Sequence, residues 1–384
     1  MKRAASVLAL VALAAAAVAA TAIATPAAGT GQAGAAAINC RGASIGFAGP
    51  LTGPAAFLGQ EQISWSKFAV SQYNRQFRTK FRIVQGDTQL SAALARTVGR
   101  QFVSNSAIAG VIGPSTSQGV ISAAGLFKTA GLAAVSGSAT RTDLTTGGKY
   151  PTFFRVVPND FVQAPSIVNF AIGTLKAKRV MVLDSQDDYS IALAKGVTYR
   201  FRLKGVRVDR ESVAATDTDF SSIVTNVASD VQVVVFATQT AAAAQTLSNQ
   251  LREQGKQAVV FGTDGAYSPT QFKPRNGYVS SFAPDIRQVR GGPAVVRGYN
   301  TFSRNKAFGT FGPPSYMATW VLMGAINTAC RDGSATRAEV TANVRRTNVP
   351  SILGGQVRFT KKGDVAGAKF YVFKITNGRY TLVG

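Results

Sequence analysis

Two hydroxyl-rich runs, Ser115-Thr116-Ser117 and Ser136-Gly137-Ser138-Ala139-Thr140, follow or close short apolar stretches. Hydroxyls placed between a strand end and a helix can cap the helix, and they can also hydrogen-bond an anionic group held by its free N–H groups. Asp264, flanked by Gly262, Thr263 and Gly265, follows the apolar run 258–262 and is one of only 18 acidic residues. It suits either a turn or the recognition of a cation. Asp184, Asp187 and Asp188 stand close together but lack EF-hand spacing, so a solvated loop is expected there and no metal site. No Gly-rich segment carries the Lys of a phosphate loop in its required place.

Composition narrows the chemistry further. The 384 residues include no His and two Cys. That excludes a Ser-His-Asp triad, a Cys-His dyad, a His-ligated metal and any four-thiolate centre. No paired acids placed for general acid–base work stand out. With 42 Lys+Arg against 18 Asp+Glu the formal charge is +24, which raises the question of nucleic acid. The densest basic stretches are Arg75, Arg78, Lys80 and Arg82, then Arg200, Arg202, Lys204, Arg207 and Arg210. Both fall where a helix gives way to a strand, interleaved with Phe and Val. Solvated faces are expected rather than a nucleic-acid platform. Hydrophobic residues at 46% and charged residues at 16% predict a folded chain, and the length predicts two domains.

The chain begins Met1-Lys2-Arg3 and continues as an Ala-rich apolar run to about Ala24. A basic start, an apolar centre and the small residues Ala22 and Ala24 predict a secretory signal peptide over 1–24, with an uncleaved anchor as the alternative. Its removal takes Lys2 and Arg3 and leaves about +22 of the +24. Residues 25–40, rich in Ala, Gly and Thr, read as a flexible tether. The body is thus expected outside the cytoplasm, where Cys40 and Cys330 can form a disulfide. Two free thiols and lipidation of Cys40 are the other readings; Asn39 and the distance from the apolar run argue against lipid.

Beyond Cys40, strands at 43–47, 81–85, 109–112 and 133–136 alternate with helices at 60–74, 92–104 and 119–128. Trp65, Phe68, Ala69 and Tyr73 form one stripe on the first of these helices. After an extended segment at 153–158, helices 163–175, 190–204, 219–228 and 241–255 alternate with strands 180–183, 206–212, 231–237 and 258–262. An extended stretch at 278–282, helices 292–304, 315–330 and 336–346, and two or three strands over 357–383 complete the chain. Repeated β-α-β predicts parallel sheets covered by helices, in two lobes that exchange chain several times. If helix 315–330 covers the first sheet, its end lies near the first strand's start, which brings Cys330 toward Cys40.

The segment Ile45-Gly46-Phe47-Ala48-Gly49-Pro50-Leu51-Thr52-Gly53-Pro54, with Gly59 after it, resembles the first strand and loop of type I periplasmic binding proteins. It is most similar to the Leu/Ile/Val-binding proteins of ABC importers. The likeness continues through Val111-Ile112-Gly113-Pro114-Ser115-Thr116-Ser117 and Val135-Ser136-Gly137-Ser138-Ala139-Thr140. Phe154-Arg155, Asp184-Ser185-Gln186-Asp187-Asp188-Tyr189, Phe261-Gly262-Thr263-Asp264-Gly265 and Lys362-Gly363-Asp364 extend it over 41–384. The resemblance implies an α/β fold of two doubly wound parallel-sheet lobes joined by a three-segment hinge. Lobe 1 would take 41–154 and 284–355, and lobe 2 would take 155–283 and 356–384. Crossovers are expected near 154–157, 280–284 and 355–359, with a ligand in a closing cleft.

Carried over residue by residue, Ser117, Ser138 and Thr140 match positions that hold a ligand's α-carboxylate and amino group. Asp264 matches the acidic partner of the ammonium, and Tyr189 a ligand-facing aromatic. Leu58 and Gln239 stand where the family carries aromatics, which points to a differently shaped ligand side chain. The implied function is capture of an amino acid (branched-chain-like) or related small carboxylate for an ABC importer. The protein would be a secreted monomer with a membrane permease as partner, no cofactor and no catalysis. Binding or sensing of an amide, urea or aromatic acid by the same fold is the alternative. The positive charge adds anionic cell-envelope polymers as expected partners and points away from nucleic acid.

Overall fold

The computed structural model describes residues 37–303 and 308–384. The expected signal peptide, and the tether up to residue 36, lie outside the described residues. Residues 37–40, read as the end of the tether, join the body instead. Ile38 is buried and its N–H donates to the Ala335 carbonyl at 2.9 Å, because an apolar side chain here finds the first lobe's core beside it.

The first series runs β1 (Ser44–Gly49), α1 (Ala56–Phe77), β2 (Arg82–Asp87), α2 (Ala92–Ser104), β3 (Ile108–Ile112), α3 (Ser117–Thr129), β4 (Ala134–Ser136) and β5 (Phe153–Arg155). Its five strands form one parallel sheet in the order β2-β1-β3-β4-β5. The second series runs α4 (Asp160–Gly173), β6 (Arg179–Asp184), α5 (Asp188–Leu203), β7 (Arg207–Ser212), α6 (Ser221–Thr225), β8 (Val233–Ala237), α7 (Ala241–Glu253), β9 (Val259–Gly262) and β10 (Asn276–Ser281). Then come α8 (Gly292–Phe302), α9 (Gly312–Ala329) and α10 (Arg337–Arg345), the hairpin β11 (Asn348–Pro350) and β12 (Gln356–Arg358), and β13 (Tyr371–Thr376) with β14 (Arg379–Leu382). The second sheet has the order β14-β13-β10-β9-β8-β6-β7, parallel except that β13 runs antiparallel to both its neighbours, β10 and β14.

Each sheet is covered on both faces, which is why central strands such as Ile108-Ala109-Gly110-Val111-Ile112 and Val233-Val234-Val235-Phe236-Ala237 are apolar without alternation and wholly buried. In the first lobe α1, α9 and α10 lie in one core and α2 and α3 in the other. In the second lobe α6 and α7 take one side, α4 and α5 the other. The stripe on α1 does its packing through Trp65, which stacks on Tyr299 at 4.0 Å and meets Phe68 and Tyr316 edge-on. Gly59 lets α1 pass close to the loop after β1, since a Cβ there would lie 1.9 Å from the Pro50 carbonyl oxygen.

The expected helix 219–228 is only the single turn Ser221–Thr225, held by the buried Phe220 and Val224. Helix α9 starts at Gly312 rather than at 315, because Pro313 and Pro314 fill first-turn positions whose N–H groups need no helical partner. The chain leaves the first lobe after β5, returns to it with α8, α9 and α10 after β10, and crosses again between β12 and β13. Cys40 and Cys330 form a disulfide with their Cα atoms 5.4 Å apart, tying the start of the body to the end of α9.

Candidate functional site

The loops at the carboxyl ends of the parallel strands in the two sheets face each other, the place where open α/β sheets bind ligands. On the first lobe, the three hydroxyls after β3 have separate tasks. Thr116 is the N-cap of α3, accepting from the Gly119 N–H at 3.2 Å. Ser115 and Ser117 are therefore not needed for the cap. The Ser115 hydroxyl donates to Gln62 Oε1 at 2.5 Å, and Gln62 Nε2 donates to the Ser138 hydroxyl at 2.7 Å. Ser138 closes the ring by donating to the Ser115 carbonyl at 2.5 Å. Ser136 steadies the loop from below, donating to the Pro114 carbonyl at 2.8 Å and accepting from the Ala139 N–H at 3.0 Å. Ser117 accepts from the Arg141 N–H at 3.3 Å.

On the second lobe, Asp264 begins a short turn after β9, and Gly265 allows that turn to sit against the Thr238 carbonyl, 2.3 Å from where a Cβ would stand. Its Oδ1 accepts from the Tyr189 hydroxyl at 2.7 Å and from Gln163 Nε2 at 2.5 Å. Tyr189 is placed by the capping box of α5, in which Asp187 accepts from the Tyr189 and Ser190 N–H groups. Asp160, the first residue of α4, is buried beside this group, and its N–H donates to the Thr140 carbonyl at 2.8 Å.

Burial pushes the Asp160 carboxyl up to about 8, and the nearby Asp264 charge adds to that; Thr140, Arg155 and Arg141 act in the other direction. Burial also lifts Asp264, to about 6, against the hydrogen bonds from Tyr189 and Gln163. The same region concentrates buried polar atoms without a well-formed partner: both oxygens of Asp160, Thr140 Oγ1, Gln163 Oε1 and Gln118 Nε2. Such groups are costly to bury unmatched, and these gather on the loop after β4 and the first turns of α3 and α4.

The structure thus brings Tyr189 and Asp264 into direct contact, seats Ser138 in the serine ring and puts Thr140 against Asp160. Gln239 does not reach Asp264; it spans the two lobes, its Nε2 donating to Gln118 Oε1 at 3.3 Å and Asp187 Oδ1 at 3.1 Å. Leu58, on the first turn of α1, is buried in an apolar cluster that includes Ala266 and Tyr267 of the second lobe. Arg141 adds a further link between lobes, donating to the Asp188 carbonyl at 3.0 Å.

Sequence reasoning missed Gln62, Gln118, Asp160 and Gln163. A signal was present in two places. Gln62 precedes Trp65 by three positions and so shares the apolar face of α1, an unusual place for an amide. Asp160 and Gln163 share the buried face of α4, while Asn159 already supplies the cap through its bond from the Phe161 N–H. Asp184 pairs with Arg210 and accepts from the Ser212 hydroxyl; no group of three or more potential metal ligands occurs among the described residues.

A family model described as periplasmic binding protein matches residues 43–379. An amino acid binding protein of Pseudomonas aeruginosa is 25% identical over 341 residues, 86% of this chain and 89% of that protein. Among solved structures, a leucine binding protein LivK from Thermotoga maritima superposes with a TM-score of 0.81 at 20% identity, covering 89% of this chain and 98% of that one. The branched-chain amino acid binding protein LivJ of Streptococcus pneumoniae, solved with isoleucine, gives 0.79 at 23% identity, with 89% and 99% covered. These two likenesses establish the two-lobed fold.

Proposed function

The chain belongs to the periplasmic binding protein family, and from that membership we propose that it captures a small zwitterion, an amino acid with an apolar side chain foremost, for an ABC importer. The family consists of binding proteins rather than catalysts, and membership suggests a place outside the cytoplasm. The working partner is a membrane permease that receives the ligand from the closed form.

The observation that carries this reading is the pairing of Tyr189 with Asp264 opposite the Ser115–Gln62–Ser138 ring. A zwitterion has two ends of opposite demand. Its ammonium supplies donors for Asp264 and for the unmatched oxygens of Asp160, and relieves the repulsion between those carboxylates. Its carboxylate accepts from donors on the first lobe, where the Thr140 hydroxyl, Ser117 and Gln118 Nε2 stand near the start of α3. Closure then has a thermodynamic cause, because the ligand satisfies groups that closing alone leaves buried and unmatched. Relatives that bind Leu, Ile and Val support an aliphatic side chain.

A second reading is an amide, urea or aromatic acid bound without an ammonium. Leu58 and Gln239 favour it, since neither offers the aromatic face that would cover a cation. A thermal-shift screen over amino acids, amides and aromatic acids separates the two. A ligand that binds only the folded form raises the melting temperature with the logarithm of its concentration. Shifts confined to amides or aromatic acids would defeat the zwitterion reading.

A further inference from the structure

The pole of the second lobe opposite the cleft carries a basic groove of about 540 Å³. Its position follows from topology. Ala258 and Val259 lie at the start of β9, Asn276 starts β10, and Thr376 ends β13, which runs antiparallel to β10. Ser248, Asn249, Leu251 and Arg252 belong to the last turns of α7, which runs back from the cleft side, and Gly255 follows its end. The cleft residues Asp264, Gln239 and Tyr189 follow the opposite, carboxyl ends of β9, β8 and β6.

Arg252, Lys256, Arg275 and Lys374 line the groove, and no acidic residue does. Arg252, Arg275 and Lys374 are exposed and make no ion pair among the described residues, whereas Arg179 on the same pole is neutralised by Asp209 and Asp230. Arg252 sits in the last turn of α7, where a cation complements the helix end. That explanation does not reach Arg275, which precedes a strand, or Lys374, which is within one. The rim continues in exposed Lys176, Lys178, Lys204 and Arg207, all at the same ends of β6 and β7.

The lining also decides which anion fits. Amides and hydroxyls of Asn249, Asn276, Asn377, Ser248 and Thr376 can hydrogen-bond an oxyanion, but no aromatic ring lines the groove. Bases and sugar rings therefore find no stacking surface. Several cations lining one concave surface suit a flexible strand of repeated phosphates. We propose that this groove binds a linear phosphodiester polymer of the cell envelope, holding the protein near the surface while the opposite pole keeps the cleft free. The proposal rests on the extracytoplasmic reading but not on the identity of the cleft ligand.

The test uses the full chain, purified, with inorganic polyphosphate as probe, in a direct binding titration over a range of salt concentrations. The triple variant Arg252→Ser, Arg275→Ser, Lys374→Ser is compared with Arg75→Ser, Lys80→Ser, Arg82→Ser, which removes equal charge from exposed sites on the first lobe. Thermal melts establish that both variants fold. The groove variant should bind about tenfold more weakly or worse, and its log–log salt slope should fall by about one for each phosphate-binding cation removed, while the first-lobe variant changes little. Equal weakening by both triples would show diffuse charge attraction and overturn the proposal, as would a groove variant that binds like the parent. Stronger binding to phosphatidylglycerol vesicles than to the polymer would overturn the choice of a polymer. No amino acid enters this assay, so its failure is distinct from failure of the cleft reading.

Discussion

Arg155 and Asp364, 209 residues apart in sequence, meet at 2.7 Å between the first and third passages of the chain from lobe to lobe. The guanidinium is fully buried and every arm is engaged: it also donates to the Ala139 and Arg141 carbonyls and to the Thr145 hydroxyl. The Thr145 hydroxyl in turn donates to Asp364 at 3.0 Å. The network ties two hinge segments to the loop that carries Ser138 and Thr140, so hinge geometry and ligand loop are set together.

Asp364→Ala would leave that buried cation without its counter-charge. A loss of about 3–5 kcal/mol is expected, read as a lower melting temperature and a lower urea midpoint. Asp364→Asn, which keeps an acceptor, should lose less. Unchanged melting in the alanine variant would contradict a supporting role for the pair.

The raised carboxyls predict a pH dependence with a definite sign. A carboxyl whose folded-state value exceeds its unfolded value of about 4 binds its proton more tightly when folded, so stability falls as pH rises above the unfolded value. For Asp160 that loss should run up to about 8. Glu61 behaves alike: burial lifts it to about 7 against backbone bonds from Gly309, Gly312 and Phe311. The difference between parent and Asp160→Asn therefore isolates Asp160. Melts between pH 5 and pH 8, without ligand, should show a shallower decline in the variant. Parallel profiles would refute the assignment.

Gln62 holds two serines through one amide. Gln62→Leu keeps the volume but removes both bonds, and should weaken ligand affinity about tenfold while the protein stays folded. Calorimetric titration checks this; an unaltered affinity would remove the serine ring from the site.

The Cys40–Cys330 bridge closes a loop spanning 290 positions. Reduction should therefore lower stability by about 2–4 kcal/mol, measured by denaturant unfolding with and without reductant. Intact-protein mass before and after alkylation would reveal free thiols if the bridge were absent.

How far the sequence carries is plain from particular residues. The sheets were legible because buried parallel strands are runs such as Val233-Val234-Val235-Phe236-Ala237, and the helices between them have amphipathic stripes. Residues on strand-end loops, Ser138, Tyr189 and Asp264, were legible because topology alone puts such loops at a cleft. Phe154-Arg155 and Lys362-Gly363-Asp364 were visible as separate motifs, but nothing in the sequence shows that Arg155 binds Asp364. Asp160, Gln163 and Gln62 were missed because they lie on helices, and a helical side chain's role depends on which neighbour its face meets. The early end of the tether was missed for a similar reason: Ile38 is one apolar residue in a bland segment, and only the adjacent core makes it structural.

In the proposed function Asp264 answers the ammonium of a zwitterion. Isothermal titration of isoleucine into the parent protein and into Asp264→Ala tests it most directly, with 3-methylpentanoate as the matching acid that lacks an ammonium. Isoleucine should bind the parent and lose about a hundredfold or more in the variant, at about 1.4 kcal/mol per tenfold, while any binding of the simple acid is spared. Isoleucine binding that survives intact in Asp264→Ala would contradict the account.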